Sequence, residues 1–360
     1  MSALNRDDVP HLDDVLRDIA AGAAERDGAA VLAFPEEPIA QLERAGALAF
    51  NARPGLTRPA AAEELGLVRR VAAADGSVGR IFDGHLNAVE RLAVQAPPEL
   101  RDRELAAVRA GRLRAGVWGG SPLPSEGPPA GIRQATDGEV LRGVKTFCSG
   151  AGGLHRALVL AGDGDGPPSA VWIDLTDEAR VEIDAGWYRS HGLRASVSHR
   201  VVFHDAPVLA RFGPPGGLSV HPWFSRDALR TAASWAGMAD TAVDAALETL
   251  AARPSGTELE ALAAGRILTA GRTIDVWLEH AAAAMDEVSD DLPAVALHAR
   301  AAISDTCGTL LDEAARACGS GPFARAEALD RARRDLEVFL LQHRLDPLLA
   351  RAGSAALADR

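Results

Sequence analysis

Gly143-Val144-Lys145-Thr146-Phe147-Cys148-Ser149-Gly150 decides the fold, together with Trp187 and the later segment Gly192-Leu193-Arg194-Ala195-Ser196-Val197-Ser198. Around them lie short β-type runs at Ala157–Leu160, Ala170–Leu175, Val181–Ile183 and Val201–Phe203. The cluster Gly162-Asp163-Gly164-Asp165-Gly166-Pro167-Pro168 separates two of these runs and reads as a hairpin loop. On both sides the pattern changes to helical periodicity, which sets a small β unit between two helical blocks.

In the first block Leu12, Val15, Leu16 and Ile19 form a helical stripe, with Asp13 and Asp14 at the favourable N-terminal end. Further helices are predicted at about Ala60–Ala74, Gly79–Val94 and Glu99–Leu113, the last two separated by Pro97-Pro98. The β unit opens at Ala115-Gly116-Val117-Trp118-Gly119-Gly120. Four long helices are predicted at Ser225–Ala252, Glu258–Val288, Pro293–Ala317 and Ala326–Ala350. Leu259, Leu262, Ile267, Ile274 and Leu278 recur along one side of the second, and short loops suggest an up-and-down bundle. The expected fold class is α+β. It comprises an N-terminal all-helical domain (1–112), a middle β-sandwich or barrel (113–221) and a C-terminal four-helix bundle (222–360).

A chain of 360 residues with 47% hydrophobic and 24% charged residues can bury a sizeable core. Its net charge of −12 argues against electrostatic binding to nucleic acid or anionic membrane. Cys148, Cys307 and Cys318 form no Cys-x-x-Cys pair, which suits free thiols in a reducing compartment. Met1–Pro10 is polar and acidic, unlike a signal peptide, and no apolar run has the length of a membrane span. A cytoplasmic protein is expected. Lys145 is the sole lysine, a scarcity that coding bias towards arginine explains.

The two opening segments, in this order and setting, resemble the acyl-CoA dehydrogenase superfamily of flavoproteins. Gly143, Lys145, Phe147 and Ser149 match that family's Gly-x-Lys-x-(Trp/Phe)-x-(Ser/Thr) turn, and Trp187, Gly192, Arg194 and Ser196 match its Trp-x4-Gly-x-Arg-x-Ser segment. Cys318-Gly319-Ser320-Gly321 resembles its Gly-Gly-x-Gly loop, and Asp330-Arg331-Ala332-Arg333-Arg334-Asp335 its Glu-(Arg/Lys)-x-x-Arg-Asp. The resemblance implies FAD, or FMN in a two-component enzyme. It implies Phe147 beside the flavin ring and Ser149 bonded near N5 and O4, while Lys145 and Arg194 hold the local turns. Trp118, Ser121, Arg253, Gly319 and Gly321 stand at further cofactor-binding positions of the family. The resemblance also implies a homo-oligomer, dimer or tetramer, formed through the helical bundle.

The chain departs from the family in three places. Trp118 stands where a Thr begins the family's phosphate-binding signature, and Ser121-Pro122-Leu123-Pro124-Ser125 replaces its glycine turn. His343 occupies the place, eight residues after Asp335, of the glutamate that abstracts a substrate proton in many dehydrogenases. Asp227 lies near the alternative base position early in the first bundle helix. Arg253-Pro254-Ser255-Gly256 lacks the Phe-Gly of the family's Arg-x-x-Phe-Gly pyrophosphate segment.

The expected function is α,β-dehydrogenation of an acyl thioester, CoA- or carrier-bound, with His343 or Asp227 as base and an electron-transfer flavoprotein as partner. The alternative is a two-component monooxygenase acting on a small molecule, supplied with reduced flavin by a reductase. The third is an inactive homologue serving as a scaffold. No metalloprotease, hydrolase-elbow or phosphate-cradling motif occurs. A solvated acidic face explains Asp286-Glu287 and Asp290-Asp291, and His191, His199 and His204 are expected at surface strand positions.

Overall fold

The computed structural model describes residues 11–53, 60–253, 256–287, 289–342, 344–358 and 360. Among these, six helices come first: α1 (Leu12–Ala21), α2 (Ala23–Gly28), α3 (Glu36–Arg44), α4 (Ala61–Ala74), α5 (Gly76–Gln95) and α6 (Pro98–Arg109). Seven strands follow: β1 (Ala115–Trp118), β2 (Gly131–Ala135), β3 (Gly138–Cys148), β4 (Arg156–Ala161), β5 (Ser169–Asp174), β6 (Val181–Asp184) and β7 (His199–Arg211). The chain then forms α7 (Trp223–Ala251), α8 (Glu258–Glu287), α9 (Leu292–Cys318), the single turn α10 (Gly321–Ala324), α11 (Ala328–Leu341) and α12 (Asp346–Ala358). No helix among the described residues is long and apolar enough to cross a membrane. The three cysteines are free and buried.

Local chemistry sets the boundaries. The Asp75 carboxylate accepts the amides of Ser77 and Val78 at 2.8 and 3.1 Å, separating α4 from α5 in the manner of an N-cap. Pro98 takes the first turn of α6, where its missing N–H has no helical partner to lose.

The strands form one sheet in the order β1-β4-β5-β7-β3-β2, with β6 also paired to β7. β1 and β4 are parallel; every other pair is antiparallel. The predicted β runs fall in β4 to β7, but the β2–β3 hairpin and the 13-residue length of β7 exceed the expectation. β7 is interrupted at Asp205, whose φ is +54°, and continues through Pro207, residues that read as a strand end.

Contacts divide the chain into two compact units. The first comprises Met1–Pro59, Arg80–Arg189 and Arg194–Phe224; the second comprises Ala60–Gly79, Ser190–Leu193 and Ser225–Arg360. The core of the first joins Leu92, Leu100, Leu105 and Val108 to Leu158, Trp172 and Phe212, with the last two rings stacked at 5.1 Å. Each fully buried side chain of this size contributes roughly 1.5–3 kcal/mol. His85 ties α5 to the opening of β1: Nε2 donates to the Leu48 carbonyl at 2.9 Å, and Nδ1 accepts the Ala115 amide at 3.1 Å. These partners fix the neutral Nε2–H tautomer, and burial pushes the imidazole pKa down to about 4.

In the second unit Arg69 of α4 holds Asp240 of α7 through two bonds of 2.6 Å and Asp275 of α8 at 2.7 Å. α7 meets α4 at Gly237, where a Cβ would stand 2.0 Å from the Arg69 carbonyl, so the crossing requires glycine. Trp235 and Phe339 meet edge to face at 6.1 Å, with the Arg300 guanidinium over the indole.

Two expectations about the helices are corrected. Ile267, Ile274 and Leu278 are buried, but Leu259 and Leu262 are 77% and 50% exposed. At 100° per residue these two lie about 80° and 140° around the axis from the buried stripe, so they belong to another face. The predicted fourth helix is two, α11 and α12, because Pro347 cannot donate within a continuous helix and instead occupies the first turn of α12.

Candidate functional site

At the end of β3 and the start of β7, two backbone kinks face each other across the Cys148↔His199 pair. Phe147 has φ +55°, and the Ser149 amide returns to the Phe147 carbonyl at 3.0 Å. Val197 has φ +41°, and the His199 amide returns to the Val197 carbonyl at 2.7 Å. Each bond closes a three-residue turn whose first residue is held in the left-handed region. Left-handed backbone costs a non-glycine residue about 1–2 kcal/mol, and such strain collects where a chain must aim a side chain.

The aimed residue is Phe147. It is 58% exposed although its neighbours Thr146 and Cys148 are buried. Its ring meets Trp187 edge to face at 5.0 Å. Trp187 is held in turn: its indole N–H donates to Glu126 Oε1 at 2.6 Å, while Glu126 Oε2 accepts the Leu123 amide at 2.7 Å. These two donors hold the Glu126 carboxyl below its usual pKa. Arg200 clamps the same loop through the Glu126 carbonyl at 2.7 Å.

Beside this aromatic pair runs a chain of hydroxyls. Ser149 Oγ lies 2.8 Å from Ser198 Oγ, which lies 2.8 Å from Ser196 Oγ. Ser196 is fully buried, Ser198 is nearly so, and Ser149 is partly exposed. Lys145 and Arg194 hold the turns, as expected. Lys145 Nζ donates to the carbonyls of Gly119 and Leu160 at 3.1 and 2.7 Å, and burial lowers its pKa to about 8. Arg194 donates to the carbonyls of Asp27 and Ala29 at 2.6 and 2.7 Å.

The remaining sequence candidates are placed as follows. Trp118 is 1% exposed, its indole N–H donates to the Ser149 carbonyl at 3.0 Å, and its ring packs near Phe203. It also lines a cavity of about 500 Å³ with Leu154, Val181, Ile183, Arg114 and Glu36. Ser121 is exposed, and its carbonyl accepts the Thr146 hydroxyl at 3.1 Å.

In the second unit the Asp227 carboxylate accepts from Arg230 at 3.2 Å, and Arg230 and Arg226 both donate to the buried Glu64, at 2.7 and 2.6 Å. Arg253 donates to Glu260 at 2.6 Å and to the Ala317 and Cys318 carbonyls at 2.9 Å, closing the C-terminal end of α9. Gly319 (φ +73°) is the C-cap of α9, and Gly321 opens α10. His343 lies outside the described residues.

His204 is exposed on β7, as expected, and pairs with Glu182 at 2.9 Å, whereas His191 is exposed but lies between β6 and β7, not on a strand. His199 departs from that expectation: it is 97% buried, being 3% exposed, with Nδ1 lacking a hydrogen bond among the described residues. The Glu126 clamp on Trp187 escaped sequence reasoning, since a glutamate in a Pro/Ser loop carries no signal. The hydroxyl chain left no usable trace either: Ser196 ends a 3-10 turn and Val197 has φ +41°, so a kink and not strand alternation brings the Ser196 and Ser198 hydroxyls together. Among the described residues, no cluster of His, Cys, Asp and Glu could hold a metal ion.

The fold is acyl-CoA dehydrogenase-like. FMN-bound TdsC, a dibenzothiophene monooxygenase from Paenibacillus sp. A11-2, superposes with TM-score 0.84 at 22% identity, covering 96% of this chain and 97% of its own. Methanesulfinate monooxygenase MsuC from Pseudomonas fluorescens gives TM-score 0.80 at 21% identity, covering 96% and 97%. KijD3 in complex with FMN and a dTDP-linked amino-keto sugar gives 0.79 at 21%, covering 91% and 87%. No protein-family model matches the sequence, and no curated protein does.

Proposed function

We propose that this protein is a flavin-dependent oxidoreductase, and specifically a two-component monooxygenase that takes reduced FMN from a separate reductase and oxygenates a small molecule. The observation that carries the flavin assignment is the exposed Phe147. A strained backbone and the Trp187–Glu126 brace hold its ring out from the sheet, two residues before a partly exposed hydroxyl. A flat apolar wall beside an oriented hydrogen-bonding group suits a fused-ring cofactor with polar atoms along one edge.

Three features support FMN and oxygenation over FAD and thioester dehydrogenation. Arg253, which would meet the second phosphate of FAD, spends its guanidinium on Glu260 and the end of α9. Asp227, a candidate dehydrogenase base, is tied to Arg230, an ion pair that proton abstraction would have to disturb. The proteins of similar fold include FMN complexes and two monooxygenases, TdsC and MsuC.

Bound reduced FMN would supply the electrons that activate oxygen. The chain's own residues bind and orient: Phe147 and Trp187 wall the ring, Ser149 holds its polar edge, and Lys145 and Arg194 keep the supporting loops in place. The test is direct. The purified chain is given FMN, a flavin reductase and NADH, and oxygen uptake is followed with candidate small molecules. Substrate-dependent uptake that requires reduced FMN is expected. Reduction of added FMN by an acyl-CoA without a reductase would instead restore the dehydrogenase assignment.

A further inference from the structure

We infer that Ser196 and Ser198 form a polarised hydroxyl chain that fixes Ser149 as a hydrogen-bond donor, which makes Ser198 a positioning residue for the flavin edge. The inference rests on the flavin assignment above and deepens it. Three hydroxyls share two hydrogen bonds, both of 2.8 Å. Each hydroxyl has one proton to donate. The direction of the chain follows from where the protons can go.

Ser196 is fully buried, and Ser198 is its hydroxyl's only hydrogen-bond partner among the described residues. A buried hydroxyl proton without an acceptor is penalised. If Ser149 donated to Ser198 and Ser198 to Ser196, the Ser196 proton would be stranded in the interior. If both outer hydroxyls donated to Ser198, the Ser198 proton would be stranded instead. The remaining order, Ser196 to Ser198 to Ser149, satisfies both buried protons and leaves the last one on the partly exposed Ser149. Ser149 therefore presents its proton outward, beside Phe147, to an acceptor such as a ring carbonyl or imine nitrogen. The backbone enforces the alignment: the Gly150 amide donates to the Ser196 carbonyl at 2.8 Å, locking the two loops that carry the chain. Consecutive hydroxyl bonds also polarise one another, so the terminal donor is stronger than an isolated serine.

The experiment uses the full chain and two readouts. In ligand-free protein, urea unfolding of Ser196→Ala, Ser198→Ala and the double variant reads the chain itself, and the two losses should fall short of additive. In FMN titrations, read by quenching of FMN fluorescence and by the visible band of the bound flavin, Ser149→Ala and Ser198→Ala should each weaken binding on the order of tenfold. Both should shift the band in the same direction. Adding Ser198→Ala to Ser149→Ala should cost little more, and Ser198→Thr should restore affinity and band position. Additive losses in the ligand-free cycle, or a Ser198→Ala variant with wild-type FMN affinity and spectrum, would overturn the chain. Wild-type protein that fails to bind FMN overturns the donor's assigned target together with the flavin assignment, and the ligand-free cycle tells that outcome apart.

Discussion

Asp335 Oδ1 accepts the backbone amide of Leu193 at 2.5 Å, joining two segments that lie 142 positions apart in the chain. Leu193 stands at φ +52°, and the preceding Gly192 lies so close to Arg334 that a Cβ would approach its carbonyl to 2.0 Å. Arg334 in turn donates to the His191 carbonyl at 2.5 Å. The Arg-Asp pair of α11 thus holds the stretch from His191 to Leu193. Asp335 and Leu193 are each only 4% exposed, so the bond between them lies in the interior. Asp335→Ala should lower the unfolding free energy by about 1–3 kcal/mol. Asp335→Asn, which keeps an acceptor oxygen, should lose clearly less in urea denaturation. Equal losses would mean that the carboxylate does not hold this stretch.

His85 predicts an acid-sensitive fold. Its folded pKa of about 4 lies below the unfolded value of 6.5, so the unfolded chain binds the extra proton between those limits. Stability is fully present above pH 6.5 and is lost as pH falls towards 4, by on the order of 3 kcal/mol from this residue. His155, His199 and His221 are also shifted downward by burial and act in the same direction. Urea midpoints at pH 7.5 and pH 5 should separate for the wild type and converge in part for His85→Gln. A midpoint unchanged by acid in the wild type would contradict the buried neutral imidazole.

The parts of the fold that the sequence exposed were those with short-range signals. Turn clusters, helical stripes and the Gly-x-Lys-x-Phe-x-Ser spacing located the β unit and its two flanks. What stayed hidden has physical causes. Every residue from Ala74 to Ala93 is buried, including Arg80, Asp83, His85, Asn87, Glu90 and Arg91, whereas a helix carrying these charges reads as having a solvent face. β5 is buried from Ser169 to Ile173, with only Asp174 half-buried, which erases the alternation that marks a half-exposed strand. The seat that Asp335 provides for Leu193 depends on tertiary packing, so neither local pattern could reveal it.

Arg253 separates FMN from FAD by experiment. Its bonds to Glu260 and to the last carbonyls of α9 make it a structural tie. Arg253→Ala should lower stability by about 1–2 kcal/mol while leaving FMN affinity within about twofold. FAD should bind no more tightly than FMN to either protein in equilibrium titration. A preference for FAD that Arg253→Ala abolishes would return the pyrophosphate role to this residue.

Asp227 tests the reaction. Under oxygenation by supplied reduced FMN, Asp227→Asn loses only part of its pairing with Arg230, and steady-state turnover should stay within about threefold of wild type. Under dehydrogenation a general base is being removed, and a fall of roughly 10²–10⁴-fold is expected. A fall of that size with the fold intact by circular dichroism would favour Asp227 as the proton acceptor.

Phe147 carries a trade-off between stability and binding. At φ +55° any side chain with a Cβ is strained, and Phe147 gains little from burial because it is 58% exposed. Phe147→Gly relieves the strain, whereas Phe147→Ala keeps it and loses the ring. The glycine variant should therefore be the more stable of the two by about 1 kcal/mol in chemical denaturation. Both lose the wall that faces Trp187, so both should bind FMN on the order of tenfold more weakly than wild type. The strain is then explained by what it positions: the chain keeps a bulky residue in a left-handed conformation because the ring has to stand outside the sheet. Wild-type FMN affinity in Phe147→Ala would remove that explanation and the aromatic wall with it.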